Sequence, residues 1–192
     1  MKTFLLIIIS VFSIKFSSAQ LSKKTWLVGG TGLFNSTQYK NGRSAGVTPG
    51  YKSTTLTLSP NIGYFFVNKF AAGIKASYGH QKLRYLEGSN FFTSNTAYNF
   101  GPFVRYYFLP ANKRFNLLID GSYQHGIERE NAQGSFIEKY TKNTISFAGG
   151  PVMYFNPQVG LEFLVGFSNE SYNKFSGENN TLQMGLGLQV HL

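Results

Sequence analysis

The chain has no cysteine, and its charge is strongly one-sided. Without cysteine there is no disulfide, thiolate metal site, cysteine nucleophile or acylated lipoprotein cysteine. Asp and Glu number 8 against 18 Lys and Arg, giving a formal net charge of +10, and charged residues make up only 14% of the chain. The fold therefore depends on packing and hydrogen bonds.

Long hydrophobic runs are also missing, except at the N-terminus. The opening MKTFLLIIISVFSIKFSSAQ has Lys2, an apolar stretch from Phe4 to Ile14 and small residues up to Ala19. The apolar stretch is shorter than the roughly 20 residues of a spanning helix, and Lys15 ends it, which argues against a membrane anchor. We therefore predict a secretory signal peptide over residues 1–19 and an exported domain over residues 20–192.

Alternation of apolar and polar residues is the main pattern that is present. From Thr181, the segment TLQMGLGLQVHL places an apolar residue at every second position as far as Leu192. Thr96–Phe108 and Val159–Phe167 alternate in the same way. A period of two is that of a β-strand with two different faces. With 42% hydrophobic residues, 17% aromatic residues and 21 glycines, the chain is predicted to form one all-β domain.

About eight segments show strand character, and most reach the roughly 9–11 residues of a tilted membrane strand. They are Thr25–Phe34, Thr54–Val67, Phe70–Gln81, Thr96–Phe108, Phe115–His125, Thr144–Phe155, Val159–Phe167 and Thr181–Leu192. Short turns and longer polar loops alternate between them; the long loops are Asn35–Ser53, Lys82–Asn95, Ile127–Asn143 and Ser168–Asn180. This predicts an eight-stranded antiparallel up-and-down transmembrane β-barrel with the long loops facing the medium.

Aromatic residues gather beside the short turns and predict an interfacial girdle on the periplasmic side. They are Tyr64, Phe65, Phe66, Phe70, Tyr106, Tyr107, Phe108, Phe115, Tyr154 and Phe155, with Trp26 near the same rim. A soluble sandwich or lipocalin-like barrel is the alternative. It is disfavoured because alternating soluble strands carry charge on their outer face, and here the charges share the opposite face.

Three prolines recur at equivalent places in strands that descend towards short turns. Pro60, Pro102 and Pro151 are each followed four positions later by an aromatic residue. Because proline cannot donate a ladder hydrogen bond, we expect a bulge or a widened spacing at each.

The chain resembles the small outer-membrane β-barrels of Bacteroidota-type bacteria, which are related in architecture to the OmpA transmembrane domain and OmpX. The resemblance covers nearly the whole mature chain and rests on SPNIGYFFVNKFAAG, GPFVRYYF, GPVMYFNPQVGLE and LGLQVHL. It implies eight strands, and a last strand that the barrel-assembly machinery reads, although Leu192 stands where an aromatic residue is usual.

Four charged residues interrupt apolar strands on the inward face: Lys75, Arg105, Asp120 and Glu162. An unpaired charge in a narrow lumen is costly, so we expect pairing, with Arg105–Asp120 as the nearest pair and Glu162 reaching Lys75 or Arg105. We hypothesise that such an ionic cluster closes the lumen, either as a gate that opens transiently or as a static polar core.

Sites for catalysis or metal binding are sparse, and no cofactor is predicted. Asp120 and Ser122 face one way on a strand and His125 the other, which argues against a catalytic set. His80 and His191 have no metal-spaced partner and are expected at the surface or rim. Nucleic-acid binding is disfavoured, since the basic chain is exported and has no basic helix.

Lys40, Arg43 and Lys52 lie in a loop segment without acids. They suit the phosphates of outer-leaflet glycolipid, with a merely solvated loop as the alternative.

These features favour a non-enzymatic outer-membrane barrel of a Gram-negative bacterium with a structural or surface-interaction role. Its expected partners are outer-membrane lipid and glycolipid, the assembly machinery and an unidentified surface ligand of the long loops. A narrow gated pore is the alternative, and a lipid-modifying enzyme is a weaker one.

Overall fold

A computed structural model describes residues 21–39, 50–86, 91–133, 135–174 and 178–192. The predicted signal peptide, residues 1–19, and the loop residues Lys40 and Arg43 lie outside the described residues. Within these ranges no helix is long and apolar enough to cross a membrane.

Eight strands form one closed antiparallel barrel in the order of the sequence. Each strand pairs with its neighbours along the chain, and β1 also pairs with β8. Their bounds are β1 Trp26–Tyr39, β2 Tyr51–Val67, β3 Phe70–Tyr85, β4 Phe92–Tyr107, β5 Phe115–Ala132, β6 Ser135–Tyr154, β7 Val159–Tyr172 and β8 Glu178–His191. The predicted eight-stranded up-and-down barrel is thereby confirmed.

The strands run further towards the long loops than the sequence pattern indicated. The predicted loop Ile127–Asn143 is wrong: β5 and β6 cover nearly all of it and pair from Phe115 opposite Met153 to Ala132 opposite Ser135. At this end the outward face of a strand leaves the lipid and the inward face lines a polar lumen, so apolar alternation is no longer required, while the backbone ladder still satisfies its polar groups.

The two faces of the wall differ as the alternation predicts. Outward side chains such as Phe163 and Leu186 are 44% and 58% exposed, although they are apolar. A contiguous apolar outer band of this kind suits contact with lipid. Inward neighbours such as Leu164 and Glu162 are buried. The alternation of Val159–Phe167 predicts that Val159 faces outward like Phe163, but it is buried at the start of β7.

The aromatic residues beside the short turns divide between the two faces. Outward-facing rings are exposed at this rim: Trp26, Phe66, Phe108, Phe115 and Phe155. Phe65, Tyr107 and Tyr154 instead point inward and are at most 3% exposed. Assigning all of them to the girdle was therefore wrong, because adjacent strand residues cannot share a face.

Each of the three prolines interrupts the pairing with the following strand without changing its register. β2 and β3 pair at Leu58–Tyr78 and again at Asn61–Lys75, and the gap contains Pro60. Pro102 lies in the same kind of gap between β4 and β5, as does Pro151 between β6 and β7. The kept register excludes a bulge at these sites.

The glycine before two of these prolines is sterically required. A Cβ on Gly101 would lie 2.0 Å from the carbonyl oxygen of Tyr123, and one on Gly150 would lie 1.9 Å from that of Phe163. In both gaps the carbonyl of the facing strand thus approaches the glycine Cα, a recurring Cα–H···O geometry in sheets.

The barrel closes incompletely between its first and last strands. β1 and β8 pair only from Leu27 opposite His191 to Gly32 opposite Leu186. Above this point β1 still pairs with β2 as far as Tyr39, and β8 with β7 as far as Glu178. We call the unpaired part, between residues 33–39 of β1 and 178–185 of β8, the seam.

Candidate functional site

The base of the lumen, at the end with the short turns, is closed by apolar and aromatic side chains. Leu21, Leu27, Phe65 and Tyr107 are all at most 1% exposed. The segment before β1 is held beneath the barrel, where the Lys69 amide donates to the Leu21 carbonyl at 2.9 Å. This layer is called the base below.

His191 belongs to the base and not to the surface or rim where the sequence placed it. It is 3% exposed, and its ring stacks on Phe65 with centroids 5.6 Å apart. It also lies edge-on to Tyr154 at 5.7 Å. Since β8 alternates, the inward parity of Gln183 and Gln189 already assigns His191 to the lumen.

Directly above the base, the structure brings together the four predicted charges, here called the lower ionic cluster. Arg105 donates from Nε to Asp120 Oδ2 at 3.0 Å and from Nη1 to Glu162 Oε1 at 2.8 Å. Lys75 donates from Nζ to the second oxygen of Asp120. The cluster thus contains the expected pair Arg105–Asp120, and Glu162 reaches across the lumen to Arg105.

Polar neighbours and rings complete the surroundings of the lower ionic cluster. Gln189 Nε2 approaches Glu162 Oε2 at 3.4 Å, and Gln124 donates to the Lys75 carbonyl at 3.0 Å. The Arg105 guanidinium carbon lies 5.8 Å from the Phe103 ring centroid. Buried ions need such pairing and hydrogen bonding, because desolvation alone would cost several kcal/mol per ion.

A cavity of about 980 Å³ occupies the lumen above the lower ionic cluster. Lys75 and Asp120 lie at its lower end, while Gln81 and Asn179 line it near the ends of strands close to the long loops. Ser, Thr, Asn and Gln side chains cover much of its wall. We call this polar cavity above a closed floor the cup.

A second group of charges lies in the upper part of the cup, and sequence reasoning missed it. Lys142 Nζ lies 3.0 Å from Glu128 Oε2 and 2.6 Å from Glu170 Oε1. Glu128 and Lys142 were assigned to a loop, so strand parity was not applied to them. Continuing the even-numbered inward positions from Asp120 and Glu162 would have found Glu128 and Glu170. These three residues form the upper ionic cluster.

Two tyrosines support the upper ionic cluster. Tyr140 donates to Glu128 Oε1 at 3.0 Å, and Tyr172 donates to Glu170 Oε2 at 2.9 Å. Tyr172 lies thirteen residues along β7 from Val159, which stands at the short-turn rim. For a strand tilt of about 40° this places Tyr172 ~33 Å above that rim, beyond the ~25 Å height of the apolar band of such barrels. Burial, with Glu170 nearby, raises the pKa of the Tyr172 hydroxyl, which therefore keeps its proton.

The other singled-out residues do not converge on one site. Ser122 is buried with Asp120 on the inward face, whereas His125 is exposed outside and lies 2.8 Å from Asn143 Oδ1. His80 lies on the outward face of β3, opposite Thr96 of β4, and its Nδ1 atom is 3.0 Å from the Thr96 hydroxyl. Lys52 is exposed on β2, opposite Gln38. No cluster of three metal-ligating side chains occurs among the described residues.

Similarity to known proteins is found at the level of structure. No protein-family model and no curated protein sequence matches the chain. Neisserial surface protein A (NspA) has a TM-score of 0.50 at 12% identity, over 86% of this chain and 96% of that one.

Two further structures are less similar. The N-terminal β-barrel domain of Pseudomonas aeruginosa OprF has a TM-score of 0.45 at 12% identity, over 88% of this chain and 98% of that one. Ail, the attachment invasion locus protein of Yersinia pestis, has a TM-score of 0.42 at 12% identity, with coverage of 88% and 99%. The match to NspA shows that the chain has the fold of a small eight-stranded outer-membrane barrel.

Proposed function

We propose that the chain is a non-enzymatic barrel of a Gram-negative outer membrane with a structural or surface-interaction role. The observation that carries this proposal is a lumen closed by two successive layers, the base and the lower ionic cluster, inside an apolar outer wall. A barrel of eight strands is just wide enough to be filled by side chains. Its long-loop end is then the surface available to partners.

Solute release from liposomes tests the closed lumen. The full mature chain, reconstituted at a known ratio of protein to lipid, should release neither labelled sugars nor small ions faster than empty liposomes. The matched comparison is Phe65→Ala/Tyr107→Ala, which removes two rings from the base. Rapid release of sugars by the natural chain would contradict the proposal.

The surface role requires a partner of the long loops. Intact cells displaying the barrel should retain a partner that barrels with shortened loops do not retain, when both are present at equal surface density. Lys40, Arg43 and Lys52 are proposed to contact glycolipid phosphates. Replacing all three by glutamine should then weaken binding to glycolipid-containing vesicles, most clearly at low salt. Equal retention of a partner by cells with full-length and with shortened loops would contradict the surface role.

A gated pore is the second candidate, favoured by the shared contacts of the lower ionic cluster. Asp120 is bound by both Lys75 and Arg105, so it keeps one cationic partner if Arg105 moves with Glu162. In planar bilayers, Glu162→Gln should change the frequency of channel openings if the cluster acts as a gate. If the cluster is a static core, the substitution should lower stability and produce no openings.

A further inference from the structure

The cup reaches the outer surface of the barrel through the seam. Its lining includes the consecutive residues 33–35 of β1 and 181–185 of β8. Phe34, Leu182 and Met184 face outward by strand parity, yet they line the cavity where β1 and β8 do not pair with each other. The cavity therefore extends to the two unpaired strand edges.

The side chains that flank the seam on the outside are apolar and largely exposed. Phe34 and Leu182 are each 72% exposed, and Met184 is 63% exposed. Leu33 lies across the lower end of the seam, where a Cβ on Gly185 would be 2.7 Å from its Cδ2 atom. The seam is thus an apolar slot that leads into a polar cup.

The lower part of the seam lies at the height of the outer leaflet of a membrane. Leu33 lies seven residues along β1 from Trp26, which is ~18 Å above the rim for a tilt of about 40°. The apolar band of such barrels is ~25 Å tall. Unpaired backbone at this depth is tolerated only where it is covered or lines a cavity, so an occupant of the slot would stabilise the barrel.

The cup carries an excess of negative charge, although the chain as a whole is strongly basic. Among the described residues, the cup lining and the ions directly beneath it hold three cations, Lys75, Arg105 and Lys142. They also hold four carboxylates: Asp120, Glu128, Glu162 and Glu170. The unbalanced carboxylate lies in the upper ionic cluster, where one ammonium serves two acids.

A buried hydroxyl beside the upper ionic cluster has no partner. Thr144 is 6% exposed and lines the cup, and its Oγ1 atom makes no hydrogen bond. It lies directly opposite Glu170 in the pairing of β6 with β7. A buried polar atom without a partner is destabilising, so Thr144 Oγ1 is a ready acceptor for a donor that enters the cup.

We propose that the seam and the cup together form a binding site for an outer-leaflet amphiphile with a single alkyl chain and a primary ammonium headgroup. The alkyl chain lies in the slot between Phe34, Leu182 and Met184. The headgroup lies at Glu170 and the Thr144 hydroxyl, ~28 Å above the rim, which is the level of lipid headgroups. This site goes beyond the proposed surface role, because it is reached from the membrane and not from the medium.

Closing the seam chemically tests the route of access. The chain has no cysteine, so the pair Phe34→Cys/Met184→Cys can be joined across the seam by a short bis-maleimide cross-linker. The matched control, Phe34→Cys/Leu56→Cys, joins β1 to β2, where these two residues already lie opposite each other. Both variants are purified after cross-linking and compared with their uncross-linked forms in amphipol.

Calorimetric titration with dodecylamine below its micellar concentration is the readout. Saturable binding is expected for the natural chain. Phe34 and Met184 line the slot, so each cross-linked variant is compared only with its own uncross-linked form, and cross-linking should leave the affinity of the control pair unchanged. The variant cross-linked across the seam should lose at least about tenfold in affinity. Undiminished binding after that cross-link, or no saturable binding to the natural chain, overturns the proposal.

The headgroup is tested with Glu170→Gln and Thr144→Val. Removing the excess carboxylate should weaken dodecylamine binding about tenfold, as expected for a lost charge-assisted hydrogen bond, and Thr144→Val should weaken it severalfold. Glu138→Gln on the same β6 strand lies outside the cup lining and should leave affinity unchanged. Equal affinity for dodecanoate, or tighter binding of Mg²⁺ at Glu170, overturns the headgroup assignment.

A strand of a second chain is the other occupant that the open edges of β1 and β8 could accept. A stable dimer in amphipol that dissociates when the seam is cross-linked would replace the amphiphile proposal. A monomer that binds dodecylamine and loses that affinity when the seam is cross-linked supports the amphiphile proposal.

Discussion

Replacing Arg105 by methionine should lower the free energy of unfolding by about 3–5 kcal/mol, because it leaves a buried carboxylate without its main partner. Glu162 is 0% exposed, and its other hydrogen bond, from Gln189, is 3.4 Å long. Asp120 is affected less, since it keeps Lys75. The cost should therefore come mainly from Glu162.

Double variants separate the two carboxylates. Adding Glu162→Gln to Arg105→Met neutralises the orphaned acid and should recover about 1–3 kcal/mol, the usual size of coupling between contacting residues. Adding Asp120→Asn instead should recover nothing, because Lys75 then loses its carboxylate. The two double variants differ in which acid they neutralise, so each is the control for the other.

Urea unfolding in lipid vesicles measures these differences. Trp26 is the single tryptophan, and it lies half-exposed at the rim of the barrel, so its fluorescence reports when the barrel leaves the membrane. Equal recovery by the two double variants, or a cost of Arg105→Met below about 1 kcal/mol, would refute the account of the lower ionic cluster as tightly paired buried ions.

Three further predictions concern the outer wall, the orientation and the glycine–proline steps. Phe163→Arg should cost about 2–4 kcal/mol in vesicles, while Phe136→Arg, at the long-loop end of β6, should cost about 0–1 kcal/mol; similar urea midpoints would argue against a lipid-facing wall. Trypsin added to intact cells should cut within the long loops and spare the bond after Lys113 in a short turn, and early cleavage there would invert the orientation. Gly150→Ala should destabilise by about 1–3 kcal/mol because its Cβ meets a carbonyl oxygen, whereas Gly79→Ala, with ordinary contacts only, should be nearly neutral in the same assay.

Strand alternation predicted the barrel and the inward direction of the lower ionic cluster. The period of two fixes the face of each residue once one face is known to be apolar. Lys75, Arg105, Asp120 and Glu162 could therefore be placed together in the lumen, and their short contacts follow from the narrowness of an eight-stranded barrel.

The upper ionic cluster could not be found from hydrophobicity, because the apolar signal ends where the wall leaves lipid. Glu128 and Lys142 lie on strands whose two faces are both polar, and such strands resemble loops in sequence. Continuing the parity beyond the apolar stretch is the step that would have placed them in the cup.

The seam has no sequence signature at all. It depends on how the first and last strands meet when the sheet closes, and these strands are the furthest apart along the chain. Local patterns specify each strand and its hairpin partner, but the extent of pairing between β1 and β8 depends on the closed shape of the whole barrel.

The proline gaps give the barrel a mechanical pattern. Pairing is continuous within three hairpins: β1 with β2, β3 with β4, and β7 with β8. In the fourth hairpin, β5 with β6, the register shifts only at the tip. The ladders between hairpins, from β2 to β3, β4 to β5 and β6 to β7, are each interrupted at a proline. The fourth joint, between β8 and β1, is only partly paired. The wall thus consists of four stiff hairpins joined along four compliant lines, so lateral pressure in a membrane would flatten or round the cross-section at those lines before it bent any hairpin.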